Sequence, residues 1–322
     1  MKAIQIKQSG GLEVMVCADL PIPRPKPSEI LVKITAAGVN FIDVQVREGR
    51  YPARLPLVLG HEAAGVVAEK GTDVEGLEIG DRVAYAHVLG SFAEYAVVPA
   101  ERLICVPGDV SDQAAAAAML QGMTAHYLSH DTFLLKKEHT ALIHAAAGGV
   151  GLLLVQMARR IGARVIGTVS TEEKAQLARN AGADEVIMYT RQDFEVETNR
   201  LTGGAGVDVV YDSVGRTTFE KGLNVLRPRG LMALYGNSSG AVPPFDLSRL
   251  RARSLFVTRP GLSHYTATRE ELERHATSVL GMVSSAALKL RIEHVYPLDE
   301  ARQALSDLEE RKTSGKLLLL PN

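Results

Sequence analysis

Residues 140–151, TALIHAAAGGVG, constrain this chain more than any other stretch. An apolar run that reads as a strand passes straight into Ala145-x-x-Gly148-x-x-Gly151. Leu152, Leu153, Val155 and Met157 then continue as an apolar helix. The strand must turn sharply and the helix must start at once. Glycine permits the turn, lets a pyrophosphate approach the backbone and lets the helix close on the strand. The helix N-terminus offers free N–H groups and the positive end of its dipole to phosphate. A glycine triplet alone is a weak signal, equally at home in a tight turn that binds nothing. Here a strand precedes it, a helix follows and a βαβ pattern continues, so the segment is read as a dinucleotide-binding turn.

That pattern extends well beyond the turn. Strands are expected at 164–169, 185–189, 207–212, 230–234 and 255–258, with helices at 149–161, 172–181, 193–202 and 219–225. Alternation of this kind builds a doubly wound parallel sheet. Residues 1 to about 120 are different: short runs at 29–36, 64–68, 82–85 and 92–98 are broken by Gly, Pro and Asp, the texture of a β-rich domain. Ser111 before an alanine run predicts an N-capped helix. The tail predicts a helix at 269–284, a strand at 292–296, a helix at 298–310 and a strand at 316–320.

Composition narrows the function. At 322 residues, with 46% hydrophobic and 23% charged, the chain is expected to form about two globular domains. The net charge of −1 gives no basic excess, so no nucleic-acid partner is expected. Cys17 and Cys105 are the two cysteines, too few for a disulfide framework or a Cys-rich zinc site, which fits a reducing compartment. Residues 140–158 are apolar but broken by His144, Gln156 and glycines, so no membrane span is expected. The N-terminus has no apolar core of signal-peptide length, and a cytoplasmic protein is the expectation.

Choice of cofactor turns on the end of the second strand. An NAD site places a carboxylate there, about 20 residues past the glycines, to accept the ribose 2′-OH. The tip here is Gly167-Thr168-Val169-Ser170, without a carboxylate. Small hydroxyl residues leave room for a 2′-phosphate. Lys174 and Arg191 offer charge and Tyr189 a hydrogen bond, so NADPH is the expected cofactor. The plainer reading of Lys174 is a solvated helix face.

Several motifs carry a resemblance. Ala37-Gly38-Val39-Asn40, Gly60-His61-Glu62-Ala63-Ala64-Gly65, Gly80-Asp81-Arg82-Val83 and the AAAGGVG turn resemble the medium-chain dehydrogenase/reductase superfamily. Asn40-Phe41-Ile42-Asp43, residues 144–151, Val210-Tyr211-Asp212-Ser213-Val214-Gly215, Gly236-Asn237-Ser238-Ser239-Gly240 and Val257-Thr258-Arg259-Pro260 resemble its NADPH:quinone oxidoreductase, zeta-crystallin-like family. The resemblance spans essentially the whole chain. It implies an α/β fold in which a Rossmann domain, 124–261, is inserted into a GroES-like β-rich catalytic domain made of 1–123 and 262–322.

In zinc-dependent members of the superfamily the catalytic metal is held by Cys, His and Cys. The matching positions here are Asn40, His61 and Leu120, and the four clustered cysteines of a structural-zinc lobe are absent. Such a set cannot hold tetrahedral Zn²⁺; no metal is expected, and His61-Glu62 is read as a structural remnant. Without a Lewis acid the acceptor must itself be electrophilic, as quinones and α,β-unsaturated carbonyls are. A reduced quinone can take its proton from solvent, so no dedicated acid is required.

Asn40, Tyr51 and Gln45 are the polar candidates near the acceptor. Asn40 is expected to hydrogen-bond the nicotinamide ribose or the acceptor oxygen, and is otherwise a turn residue. Tyr51 matches a tyrosine lining the family's active site, or is a turn-anchored aromatic. Gln45 stands where several relatives carry a second tyrosine. Asp43 is read as structural. Further cofactor contacts implied by the resemblance, beside Gly148, Gly149, Val150, Gly151 and Ser170, are Tyr127, Ser213, Val214, Asn237, Ser238, Phe256, Val257, Thr258 and Arg311, with Lys316 as a weaker candidate. Arg311 otherwise ends a solvated helix. Arg249, Arg251 and Arg253 suggest either a basic entrance for an anionic acyl chain or a charged edge strand. The expected activity is NADPH-dependent quinone reduction; the alternative is reduction of the C=C bond of enals, enones or enoyl thioesters. A non-enzymatic lens-type or RNA-binding role is disfavoured by the neutral charge and the intact glycine turn. The family implies a homodimer, with 254–258 apolar enough to be the pairing edge.

Overall fold

The computed structural model describes residues 1–321. In chain order the strands and helices are β1 (Lys2–Ile6), β2 (Val16–Asp19), β3 (Glu29–Val39), α1 (Phe41–Arg47), β4 (Leu57–Val58), β5 (Glu62–Lys70), β6 (Arg82–Ala86), β7 (Tyr95–Pro99), β8 (Ile104–Cys105) and α2 (Asp112–Tyr127). Then come β9 (Thr140–Ile143), α3 (Gly149–Ile161), β10 (Arg164–Val169), α4 (Glu172–Ala181), β11 (Glu185–Met188), α5 (Phe194–Leu201), β12 (Val207–Asp212), α6 (Phe219–Asn224), β13 (Leu226–Leu234) and β14 (Phe256–Thr258). The chain ends with α7 (Leu262–Tyr265), α8 (Arg269–Ser284), β15 (Ile292–Pro297), α9 (Ala301–Glu309) and β16 (Lys316–Leu320). It divides into two compact units, one of residues 1–123 with the segment from 266 onward, the other Thr124–Tyr265.

The second unit is a six-stranded parallel sheet in the order β11-β10-β9-β12-β13-β14. That is the dinucleotide-binding order, whose direction reverses between β9 and β12. Its central strands are buried on both faces, so they read as continuous apolar runs rather than alternating ones. Leu142, Ile166, Val210, Phe219 and Met232 lie at the centre of its core. The helices stop where their sequences say they should. Gly162 (φ 92°) and Gly182 (φ 112°) close α3 and α4 in the left-handed conformation that glycine alone adopts cheaply.

The first unit is built on β3, which pairs antiparallel with β5, β7 and β16. The C-terminal strand thus completes a sheet begun by the N-terminal segment. Ile30, Val32, Ile34, Val67, Val83, Tyr85 and Leu317 form its core. A second, three-stranded sheet runs β2-β1-β4.

Some expectations need correction. Residues 249–253 are not an edge strand: Leu247–Arg253 is a 3₁₀ turn, capped by Asp246. Two of its arginines are spent locally, Arg249 on Glu220 (3.0 Å) and Arg253 on the carbonyls of Asn224 (2.7 Å) and Leu226 (2.9 Å). The alanine-run helix continues to Tyr127 and then widens into a π-turn over Leu128–Thr132. The expected 298–310 helix is a 3₁₀ turn followed by α9.

Candidate active site

In the second unit the carboxyl ends of the parallel strands lie along one edge of the sheet, the edge at which open α/β sheets bind ligands. β9 ends at Ile143 and is followed by His144 and then Ala145, which is left-handed at φ 52°. Gly148 is the N-cap of α3 and supplies no side chain to its first N–H groups, so these remain available to a ligand. A Cβ on Gly151 would collide with the Ala145 carbonyl oxygen and with Ala146, so only glycine fits there. Gly148, Gly149 and Val150 are half-buried at the rim, and Gly151 is buried.

The loops after β12 and β13 are joined. Ser238 N donates to Ser213 O (3.1 Å), and Ser239 N donates to Val214 O (2.9 Å). Buried Asp212 accepts from the N–H of Val214 (2.7 Å) and of Gly215 (3.0 Å), which fixes this strand tip. Ser213, Val214, Asn237 and Ser238 therefore sit half-buried on one rim. At the tip of β10, Ser170 O accepts from Thr190 Oγ1 (2.8 Å) and Thr171 caps α4 through Lys174 N (3.2 Å). Tyr189 follows β11 and is 43% exposed, close in sequence to exposed Arg191. No carboxylate stands on the β10 tip; Glu172 lies in α4 and pairs with Arg179 (2.8 Å).

Tyr127 is buried and stacks on Tyr265, ring centroids 4.3 Å apart. Burial pushes its phenol well above the ordinary range. Phe256 (57% exposed) and Val257 (39%) lie on the sheet's outermost strand. His144 is buried, its Nδ1 2.9 Å from Thr168 Oγ1, and burial holds its pKa below the ordinary value.

The first unit holds the remaining candidates. Asn40 caps α1, and its backbone N–H donates to Asp43 (2.8 Å). Its buried carboxamide is fully engaged. Oδ1 accepts from Lys316 Nζ (2.9 Å) and Gln121 Nε2 (3.3 Å); Nδ2 donates to Glu62 Oε2 (2.9 Å) and Gly38 O (3.2 Å). Glu62, fully buried, also pairs with Lys316 Nζ and accepts from Leu120 N (2.5 Å). Gly38 is required beside it, because a Cβ there would meet the Glu62 carboxylate. Asp43, fully buried, lies 2.7 Å from His61 Nδ1.

The three positions that match a zinc triad thus converge, but on a different chemistry. Asn40 and Leu120 both bond Glu62, and His61 is tied to Asn40 through Asp43. Gln45 is buried on α1; Tyr51, just beyond it, is 44% exposed. Arg311 is exposed and left-handed (φ 58°) after α9. Lys316, only a weak candidate by sequence, is a centre of this cluster, and Glu62 and Gln121 were not singled out for it at all. Residues 254 apart in sequence give no local signal of such a pair.

Residues 149–276 match the zinc-binding dehydrogenase family and residues 26–108 the alcohol dehydrogenase GroES-like domain. Quinone oxidoreductase 1 of Escherichia coli is 43% identical over 323 residues, 99% of each chain. The 2-haloacrylate reductase of a Burkholderia species is 42% identical, over 99% of this chain and 98% of that one. The crystal structure of the Escherichia coli quinone oxidoreductase complexed with NADPH aligns with a TM-score of 0.98 at 42% identity, covering 100% of both chains.

The zinc in that first family description does not fit the residues present. Asn40 and Leu120 offer no thiolate, and the carboxylate nearest them is already neutralised by the Lys316 ammonium. Among the described residues no three His, Cys, Asp or Glu side chains gather as a metal would require.

Proposed function

This chain belongs to the zeta-crystallin-like quinone oxidoreductase family of the medium-chain dehydrogenase/reductases, and from that premise we propose that it is an NADPH-dependent quinone oxidoreductase. The observation that carries the reading is the α3 cradle, where only glycine fits at residue 151 and the first N–H groups are left for phosphate. NADPH, when bound, supplies the hydride. Gly148, Gly149, Val150 and Gly151 hold its pyrophosphate. Ser170, Lys174 and Tyr189 accept the 2′-phosphate at a strand tip that carries no carboxylate to repel it. Tyr127, Ser213, Val214, Asn237, Ser238 and the Phe256, Val257, Thr258 strand receive the ribose and nicotinamide, and Arg311 adds a cation.

Asn40, Tyr51 and Gln45 serve the acceptor. Because the Asn40 carboxamide is bonded on every side, it offers a pre-oriented dipole rather than a loose donor. The residues present supply no metal-type Lewis acid, which favours an acceptor that delocalises negative charge by itself. Residues 1–123 and 262–322 are taken as the catalytic domain and 124–261 as the NADPH-binding domain, in a cytoplasmic homodimer.

A second reading, reduction of an activated C=C bond, is favoured by the 42% identity to a protein named 2-haloacrylate reductase. NADPH oxidation is followed with a quinone and with an enone, each repeated with NADH and with a chelator. Quinone turnover with NADPH that a chelator leaves intact is the expected result. Enone turnover alone selects the second reading, and loss of activity on chelation defeats the zinc-free site.

A further inference from the structure

Reduction of a quinone or an enone needs a proton as well as a hydride, and the first unit contains a pair of side chains arranged to give one. We propose that His61, oriented by Asp43, is the acid that protonates the reduced acceptor. The proposal rests on the reductase reading above.

Asp43 is fully buried and uses both oxygens: one accepts from Asn40 N, the other lies 2.7 Å from His61 Nδ1. An ionised carboxylate only accepts, so the ring's proton in its neutral form sits on Nδ1. The opposite edge, Nε2, has no partner among the described residues and is not sealed from solvent; His61 keeps 7% exposure. A buried carboxylate behind an imidazole whose far nitrogen is open is the arrangement of an acid–base residue and its orienting group. The surroundings leave that nitrogen free. Glu62, next along β5, is engaged by Lys316, Asn40 and Leu120. The His87 ring lies 6.4 Å from the His61 ring, centroid to centroid. Asn40, a candidate for the acceptor, shares the Asp43 carboxylate, so one buried group sets both.

Hydride from NADPH adds two electrons to the acceptor and leaves an oxyanion on a quinone or an enolate on an enone. The Nε2–H bond of the His61 imidazolium breaks. Its proton forms an O–H bond on the quinone oxygen or a C–H bond at the enone α-carbon. The ring returns to the neutral form with Nδ1–H on Asp43 and takes a proton from solvent. Protonation at carbon is the slower of the two, so an enone depends on the donor more than a quinone does.

Wild-type turnover of a quinone and of an α-substituted enone is measured first; turnover of neither removes the reductase reading, and this proposal with it. Given turnover, His61→Ala is expected to lower kcat about 10²–10³-fold while calorimetric NADPH affinity is unchanged. Imidazole restores the rate and pyrazole, of the same shape but far less basic, does not. Full activity in His61→Ala, or restoration by both azoles, overturns the proposal. Nitrogen NMR of the wild-type protein without cofactor, with the His61 signal identified by His61→Gln, supplies an assay that needs neither turnover nor a folded alanine variant. The neutral ring is expected as the Nδ1–H form, and an Nε2–H ring overturns the assignment.

Discussion

At the scale of single residues, the Lys316–Glu62 pair is the most consequential contact in the first unit. Removing one partner of a buried pair strands the other charge away from water, at a cost of about 3–5 kcal/mol. Lys316→Met is therefore expected to lower unfolding free energy by that amount in urea titration, and Lys316→Met with Glu62→Gln to recover part of it. An unchanged denaturation midpoint in the single variant would show that the carboxylate is not charged or not buried. His144 makes a different prediction. Burial holds its folded pKa below the ordinary 6.5. Below that value the unfolded chain binds a proton that the folded chain refuses, so stability falls as pH drops, with a limiting slope of about 1.4 kcal/mol per pH unit. At neutral pH and above there is no penalty. His144→Gln should flatten that acid limb relative to wild type; identical pH profiles would mean that the ring is not held neutral.

At the scale of elements, the corner formed by the tip of β10, the start of α4 and Tyr189 decides which nicotinamide cofactor is preferred. Placing a carboxylate there, Ser170→Asp, is expected to cut the NADPH-to-NADH ratio of kcat/KM by about tenfold or more, or ~1.4 kcal/mol, because the charge repels a 2′-phosphate and accepts a 2′-OH. An unchanged ratio would move phosphate recognition elsewhere. These elements were legible beforehand. The bounds of α3, β10, α4, β12, α8 and β16 follow from apolar runs ended by glycines and started by caps such as Thr171 and Thr268. Helix α1 was not. FIDVQVR has seven residues rich in β-branched side chains and reads as strand or turn; what makes it helical is the Asn40–Asp43 capping box. Strands β1, β2 and β4 are short and owe their form to pairing with one another. Arginines spaced by two at 249–253 suggest either a basic entrance or an edge strand, but the segment is a 3₁₀ turn in which Arg249 and Arg253 have separate local partners. The Asn40, Glu62, Lys316 and Gln121 cluster joins four remote stretches of chain, and no periodicity or cap announces it.

At the scale of the whole molecule, β14 ends the parallel sheet with Phe256 and Val257 exposed, an unblunted edge of the kind that pairs with a second copy. Light scattering is expected to find a dimer, and Phe256→Asp with Val257→Asp a monomer with its circular dichroism intact. A wild-type monomer would leave that edge without the expected role. The return of the C-terminal strand to β3 has a consequence of another kind, in time. A ribosome adds about 5–20 residues per second, and Glu62 lies 254 residues ahead of its Lys316 counter-ion. The carboxylate thus emerges roughly ten seconds to a minute before its partner exists. Until then the nascent N-terminal segment carries a charge it cannot bury and a β3 edge it cannot close. The parallel-sheet unit made after it, by contrast, has every strand it needs once β14 is complete.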